Sequence, residues 1–175
     1  MPISSTEGTR EHDLAALVET YSRLLFRVAH SILRSTTEAE DVVQDVFVRV
    51  LEHHDTLPAV RDLRVWLARI AWNLAIDRRR RIRPGQLDEA FAQMLAAKSL
   101  PADVALDEAR RISLVLAEIE RLPKAERHAL LLSAIDEIET AGIAQILGRS
   151  ESAVRALLFR ARARLRKRLA KGDRT

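Results

Sequence analysis

Cysteine is absent from the 175 residues, so disulfides and thiolate metal sites are excluded. Glycine and the aromatics are scarce while aliphatic residues are plentiful. That balance suits helices better than sheets, because Ala, Leu and Arg are strong helix formers. No apolar run approaches the length needed to span a membrane, and the amino terminus is polar. The expectation is a soluble, cytoplasmic chain without membrane insertion. The five histidines (His12, His30, His53, His54 and His128) have no His partner at i, i+4 and no nearby thiol, which argues against a metal site. No Ser/His/Asp arrangement or nucleotide-binding loop stands out, so neither an enzyme, a catalytic residue nor a cofactor is expected.

Charge is present, but unevenly placed. The net value is only +4. Residues 37–57 carry one Arg against six acids, and residues 61–83 carry eight Arg against two. Residues 84–109 carry one Lys against five acids, and residues 149–171 carry nine basic groups against one. Two basic blocks separated by acidic ones suggest two contacts with a polyanion; solvated helix faces are the plainer alternative.

Hydrophobic periodicity predicts an all-α chain of two small helical domains joined by a flexible linker. The first domain spans 13–81. Leu14, Leu17, Val18, Tyr21, Leu24, Leu25, Val28 and Ile32 mark a long amphipathic helix. Thr37-Glu38-Ala39-Glu40 reads as a capping box opening a second helix, with Val42, Val43, Val46, Phe47, Val50 and Leu51 inward. A third helix runs from about Asp62 to Arg81, with Leu63, Trp66, Leu67, Ile70, Ala71 and Leu74 inward and Trp66, Ile70 and Leu74 taken as the core face. This places Trp72 and Ile76 on nearly the opposite side, beside Arg69 and Arg79. Two readings of Trp72 stay open: packing under a neighbouring segment, or a stacking surface for unpaired bases. Residues 82–105 form the linker, with Pro84, Gly85 and Pro101 and a possible short helix from Leu87 to Ala97.

The second domain spans 106–171. Leu122-Pro123 stops its first helix, Lys124 to Ile135 form another, and a helix-turn-helix pattern follows from Glu139 to Leu169. Gly148 fits a helix end that needs positive φ, and Ser150 then caps the next helix. Val154, Leu158 and Ala161 continue an apolar face. Arg155, Phe159, Arg160 and Arg162 are left on or beside the other face. Such a unit places a helix in the major groove of DNA.

Five segments carry a family likeness: AEDVVQDVFVRVLEH (Ala39–His53), RVWLARIAWNLAIDRRRR (Arg64–Arg81), LPKAERHALLL (Leu122–Leu132), IAQILGRSESAV (Ile143–Val154) and FRARARLRKRL (Phe159–Leu169). In this order and spacing the chain resembles the extracytoplasmic-function group of bacterial sigma factors, the smallest members of the sigma-70 family. The resemblance implies a first domain that binds core RNA polymerase at the β′ clamp helices and opens the minus-ten promoter element. It implies a second domain that docks on the minus-thirty-five element and the β flap. Core polymerase would be met by Asp41, Gln44 and Asp45. The minus-ten element would be met by Arg69, Trp72, Asn73, Asp77 and Arg78, and the minus-thirty-five element by Ser152, Arg155, Phe159, Arg160 and Arg162. The loop from His54 to Arg61 lies where the family captures a flipped base, although it departs from the usual Gly/Ser-containing form.

Departures occur in the helix-turn-helix. Ala156 and Leu157 replace residues that are often Ser and Arg, Ala153 a frequent Thr, and Gly142 a frequent Glu. These changes remove hydrogen-bonding capacity. Arg162 to Arg168 and Lys171 read as phosphate anchors, which position without specifying. The resemblance further implies an anti-sigma partner and a free form that is monomeric. A stand-alone helix-turn-helix regulator and a sigma mimic that titrates an anti-sigma factor are the alternatives.

Overall fold

The computed structural model describes residues 5–53, 60–81, 102–135 and 138–172. Among them are seven helices and no strand: α1 (Ser5–Leu33), α2 (Thr36–Glu52), α3 (Leu63–Arg81), α4 (Ala102–Glu120), α5 (Lys124–Ser133), α6 (Thr140–Leu147) and α7 (Glu151–Gly172). The chain divides into two compact units, 1–77 and 78–175, and the division falls inside α3. The possible helix at Leu87–Ala97 and most of the loop at His54–Arg61 lie outside the described residues. Residues 102–105, expected in the linker, belong to α4.

In the first unit α1 packs along α2. Leu24, Leu25, Val28, Ala29, Ile32 and Leu33 of α1 are buried, as are Ala39, Val42, Val46, Phe47 and Val50 of α2. Both sets recur at three- and four-residue steps, which aligns them as one stripe on each helix. The turn between these helices is two residues long. Arg34 takes positive φ (51°) and its N–H donates to the carbonyl of His30 at 2.8 Å. Ser35 then caps α2, its hydroxyl accepting from the Glu38 N–H at 3.4 Å. The capping residue is therefore Ser35 rather than the expected Thr37, because the turn closes two residues earlier.

In the second unit α5, α6 and α4 all contact α7. Leu122, Ala129, Leu132, Ile135, Ile138, Ile143, Ile146, Val154, Leu158 and Ala161 are buried. Leu157 joins them at 6% exposure. Its departure from the family pattern is thus a matter of core packing and removes nothing from an outward face. Arg127 ties α5 to the end of α4 through the backbone carbonyl of Glu120 (2.9 Å) and its carboxylate (3.0 Å).

The turn into α7 satisfies its own backbone. Gly148 adopts φ 63°, ψ 43°. Its N–H donates to Gln145 O (3.3 Å), and the Arg149 N–H donates to Ala144 O (2.8 Å). These two bonds close the carbonyls at the end of α6 as in a Schellman motif. Ser150 accepts from the Ala153 N–H at 3.2 Å and opens α7.

A Cβ at Gly148 would meet no atom within 4 Å. Gly148→Ala therefore carries only the left-handed backbone penalty, and urea melts should show a loss of about 1–2 kcal/mol. Gly148→Asn should lose less, since Asn tolerates that region.

His128 on α5 supplies a pH signature. Burial, with Arg127 and Lys124 adding repulsion, pushes its pKa down to about 4. The unfolded chain takes up this proton near pH 6.5 while the folded unit refuses it until about pH 4. Stability is thus lost as pH falls through this window, by on the order of 2–3 kcal/mol, and the loss levels off below it. Urea melts across pH 4–7 should show a smaller loss in His128→Gln than in the unaltered chain.

Candidate nucleic-acid interface

The arginines of α7 separate by helical arithmetic into two faces. Arg155, Phe159, Arg162 and Arg166 stand at steps of four, three and four, which aligns them along one side. Phe159 is 71% exposed. These four, with Glu139 and Thr140 of the α6 entry among others, line an open groove of about 760 Å³. Arg155 makes one local contact, to Glu151 at 3.3 Å, with both side chains well exposed. Such an i, i+4 pair contributes only about 0.3–0.5 kcal/mol, so it yields readily to a phosphate.

The other face consists of Arg160, Arg164 and Arg168, and it is held from within the unit. Arg160 Nε lies 3.4 Å from Oε1 of Glu126, and Arg164 Nε lies 3.0 Å from Oε2 of the same carboxylate. Arg168 reaches Glu118 of α4 at 3.5 Å. Arg160, expected to face DNA, thus braces α7 against α5. Arg164, expected as a phosphate anchor, does likewise, and Arg168, also expected as one, braces α7 against α4. Sequence reasoning missed Glu126, a buried acid two helices back; flanked by Lys124, Arg127 and His128, it carries no local signal that sets it apart. Ser152, expected near the groove, places its hydroxyl 3.1 Å from that of Ser150.

On α3 the structure brings together Arg69, Asn73 and Asp77, which are exposed at four-residue steps, with Arg78 half-buried beside them. Trp72 is placed differently. It is 3% exposed and shares the inner stripe with Val65, Leu67, Ala68, Ala71 and Ala75. Of the residues expected inward, Leu67 and Ala71 are buried, whereas Leu63, Trp66, Ile70 and Leu74 are only half-buried. Two apolar stripes compete on this helix. The one that combines Trp72 with three alanines goes inward. Trp66 and Ile70 therefore flank the exposed Arg69–Asn73–Asp77 row, and Trp72 is withdrawn from it.

On α2, Asp41, Gln44 and Asp45 form one stripe that continues into Val48 and Leu51, 52% and 50% exposed. Leu51 was expected inward. The buried stripe of α2 is complete without it, leaving an acidic row that ends in two bare aliphatic side chains. Among the described residues no group of three or more His, Asp or Glu side chains is placed to hold a metal ion. None of the described helices is long and apolar enough to cross a membrane.

Comparison with known proteins accords with this geometry. Residues 17–84 match Sigma-70 region 2, and residues 112–165 match Sigma-70, region 4. The chain is 31% identical to the ECF RNA polymerase sigma factor SigW of Bacillus subtilis strain 168, over 89% of this chain and 88% of that protein. Some other curated relatives are longer, and the chain spans about half their length. Among solved structures it is similar to CnrH in complex with the cytosolic domain of CnrY (TM-score 0.68, 27% identity, 92% of this chain and 90% of that one). The fold is shared with the sigma factor RpoE from Bartonella quintana, co-crystallised with the anti-sigma factor NepR (TM-score 0.61, 20% identity, 90% and 97%).

The inward placement of Trp72 has an optical consequence, since the chain holds only two tryptophans. In Trp66→Phe the remaining emission should be blue-shifted and resistant to acrylamide. In Trp72→Phe it should be redder and more readily quenched. Truncation of Trp72 to Ala should cost about 3–5 kcal/mol in urea melts. The opposite quenching order would mean that α3 presents its other face.

Proposed function

The chain belongs to the extracytoplasmic-function group of the sigma-70 family, and on that premise we propose that it is a promoter-specificity subunit of RNA polymerase. It recruits core polymerase to particular promoters and assists their opening. The observation that carries this reading is the pairing of two helical units in region order, one with an acidic face tipped by bare aliphatics, the other with an exposed Arg–Phe–Arg–Arg row.

Each unit takes one task. Residues 13–81 serve core polymerase and the minus-ten element, residues 82–101 link, and residues 102–171 serve the minus-thirty-five element. Asp41, Gln44 and Asp45 meet a basic helical partner on core polymerase, and this charge complementarity sets partner choice and on-rate. Val48 and Leu51 supply the dry centre of that contact, which a purely acidic face would lack. A stand-alone DNA regulator would leave this surface without a role.

At the minus-ten element Asn73 offers a donor and an acceptor to a base edge, and Arg69 and Arg78 hold phosphate. Asp77 stands beside them. Trp66 and Ile70 supply the apolar surface against which an unpaired base stacks. At the minus-thirty-five element Arg155 and Phe159 enter the major groove, and Arg162 and Arg166 follow the phosphates. Strand opening in this scheme uses binding free energy alone.

An inhibitory protein partner is part of the proposal, since the two working surfaces leave apolar side chains in water and CnrH is known bound to the cytosolic domain of another protein. It would cover the α2 face, the α7 row, or both. No membrane insertion is needed for any of these contacts, and the working compartment is the cytoplasm.

Run-off transcription with purified core polymerase and genomic promoter fragments tests the reading. Specific transcripts should appear with the unaltered chain and vanish with Asp45→Arg, which reverses the charge at the docking face. Arg155→Ala should retain core binding and lower promoter-specific output by about five- to a hundredfold, in line with about 1–3 kcal/mol for a good base contact. Failure of the unaltered chain to join core polymerase would reject the proposal.

A further inference from the structure

Among the arginines of α7, two share a single acid, and the burial of that acid decides what they are able to do. Glu126 is 4% exposed, whereas the side chains of Arg160 and Arg164 are each about half exposed. Arg160 donates its Nε–H to one carboxylate oxygen at 3.4 Å, and the Arg164 Nε lies 3.0 Å from the other as an ion pair without a hydrogen bond. At i, i+4 the two cations would repel each other on one helix face, and the carboxylate between them removes that repulsion.

Swinging both arginines out to meet a duplex would leave a buried carboxylate without a counter-charge, which is strongly unfavourable. A DNA phosphate competes from solution, at higher dielectric and under salt screening, whereas Glu126 competes from inside the fold. We propose that Glu126 is a specificity-determining residue that acts as an internal stand-in for DNA phosphate. It withholds Arg160 and Arg164 from the duplex and leaves the contact to Arg155, Phe159, Arg162 and Arg166. Because phosphate contacts are blind to sequence, two fewer of them lower the affinity for random DNA and raise the weight of the base-reading residues. The inference rests on α7 being the DNA-binding helix, as argued above.

The test is the salt dependence of binding. Full-length chain is titrated onto a fluorescent random-sequence 30-base-pair duplex at several salt concentrations, and log K is plotted against log salt. Each phosphate contact contributes a slope of about 0.9. Arg162→Gln and Arg166→Gln should each flatten the slope by about that amount, whereas Arg160→Gln and Arg164→Gln should leave it unchanged. Glu126→Gln, which frees both cations, should steepen it by about 1–2 and tighten random-duplex binding several-fold at low salt. Adding Arg160→Gln and Arg164→Gln to that variant should cancel the gain.

A brace with no bearing on specificity would give the reverse in Glu126→Gln, namely weaker binding with no steeper slope, and would overturn the proposal. Flattening by Arg160→Gln or Arg164→Gln equal to that by Arg162→Gln would also overturn it while leaving the DNA-binding role of α7 intact. The single arginine variants decide the matter even if Glu126→Gln fails to fold. Unchanged slopes in all of them, Arg162→Gln and Arg166→Gln included, would reject α7 as the DNA-binding helix and the proposal with it.

Discussion

The carboxylate of Glu126 lies buried on α5 with an arginine of α7 against each oxygen. An ion buried in this way is destabilising unless it is paired, so α7 is restricted to rotations that keep Arg160 and Arg164 in place. The same rotation turns Val154, Leu157, Leu158 and Ala161 inward and Arg155, Phe159, Arg162 and Arg166 outward. One electrostatic requirement thereby orients the hydrophobic packing of the unit and the face it offers to a partner. The tight turn at Gly148 joins α6 to α7 with its carbonyls satisfied, which adds a covalent restriction to the electrostatic one.

Much of the second unit was legible in the residues themselves. Gly148, Ser150 and the Val154–Leu158–Ala161 spacing each have a local physical cause: positive φ, a hydroxyl cap and helical periodicity. Such causes act within a few residues and survive without knowledge of the rest of the fold. The fate of Arg160 and Arg164 was not legible, because their partner lies 34 and 38 positions back along the chain, and periodicity carries no information at that separation. Arg160 remains half exposed, and nothing in its local neighbours distinguishes it from Arg162.

α3 illustrates a different difficulty. It is apolar around much of its circumference, so a helical period exists for more than one choice of inner face. Bulk favoured Trp66, Ile70 and Leu74; the fold prefers the alanine-rich side with Trp72. The missing information was which stripe the rest of the fold covers, and side-chain bulk alone does not decide that. Leu51 on α2 shows the complementary limit, since an aliphatic side chain at helical spacing is surplus once the stripe beside it has been filled.

Exposure of Phe159, together with Val48 and Leu51, carries a consequence for how the molecule exists before it meets anything. Half exposed or more, each of these side chains forgoes about 1–2 kcal/mol relative to full burial, and a surface that keeps them in water is one on which molecules of the same kind adhere to one another. Colloidal behaviour then depends on occupancy: the more of the pool that is engaged, the fewer sticky surfaces remain in solution. A cell that raises the concentration of this chain beyond the supply of its partners accumulates a species prone to precipitate, so dosage is constrained by solubility as well as by the genes it switches.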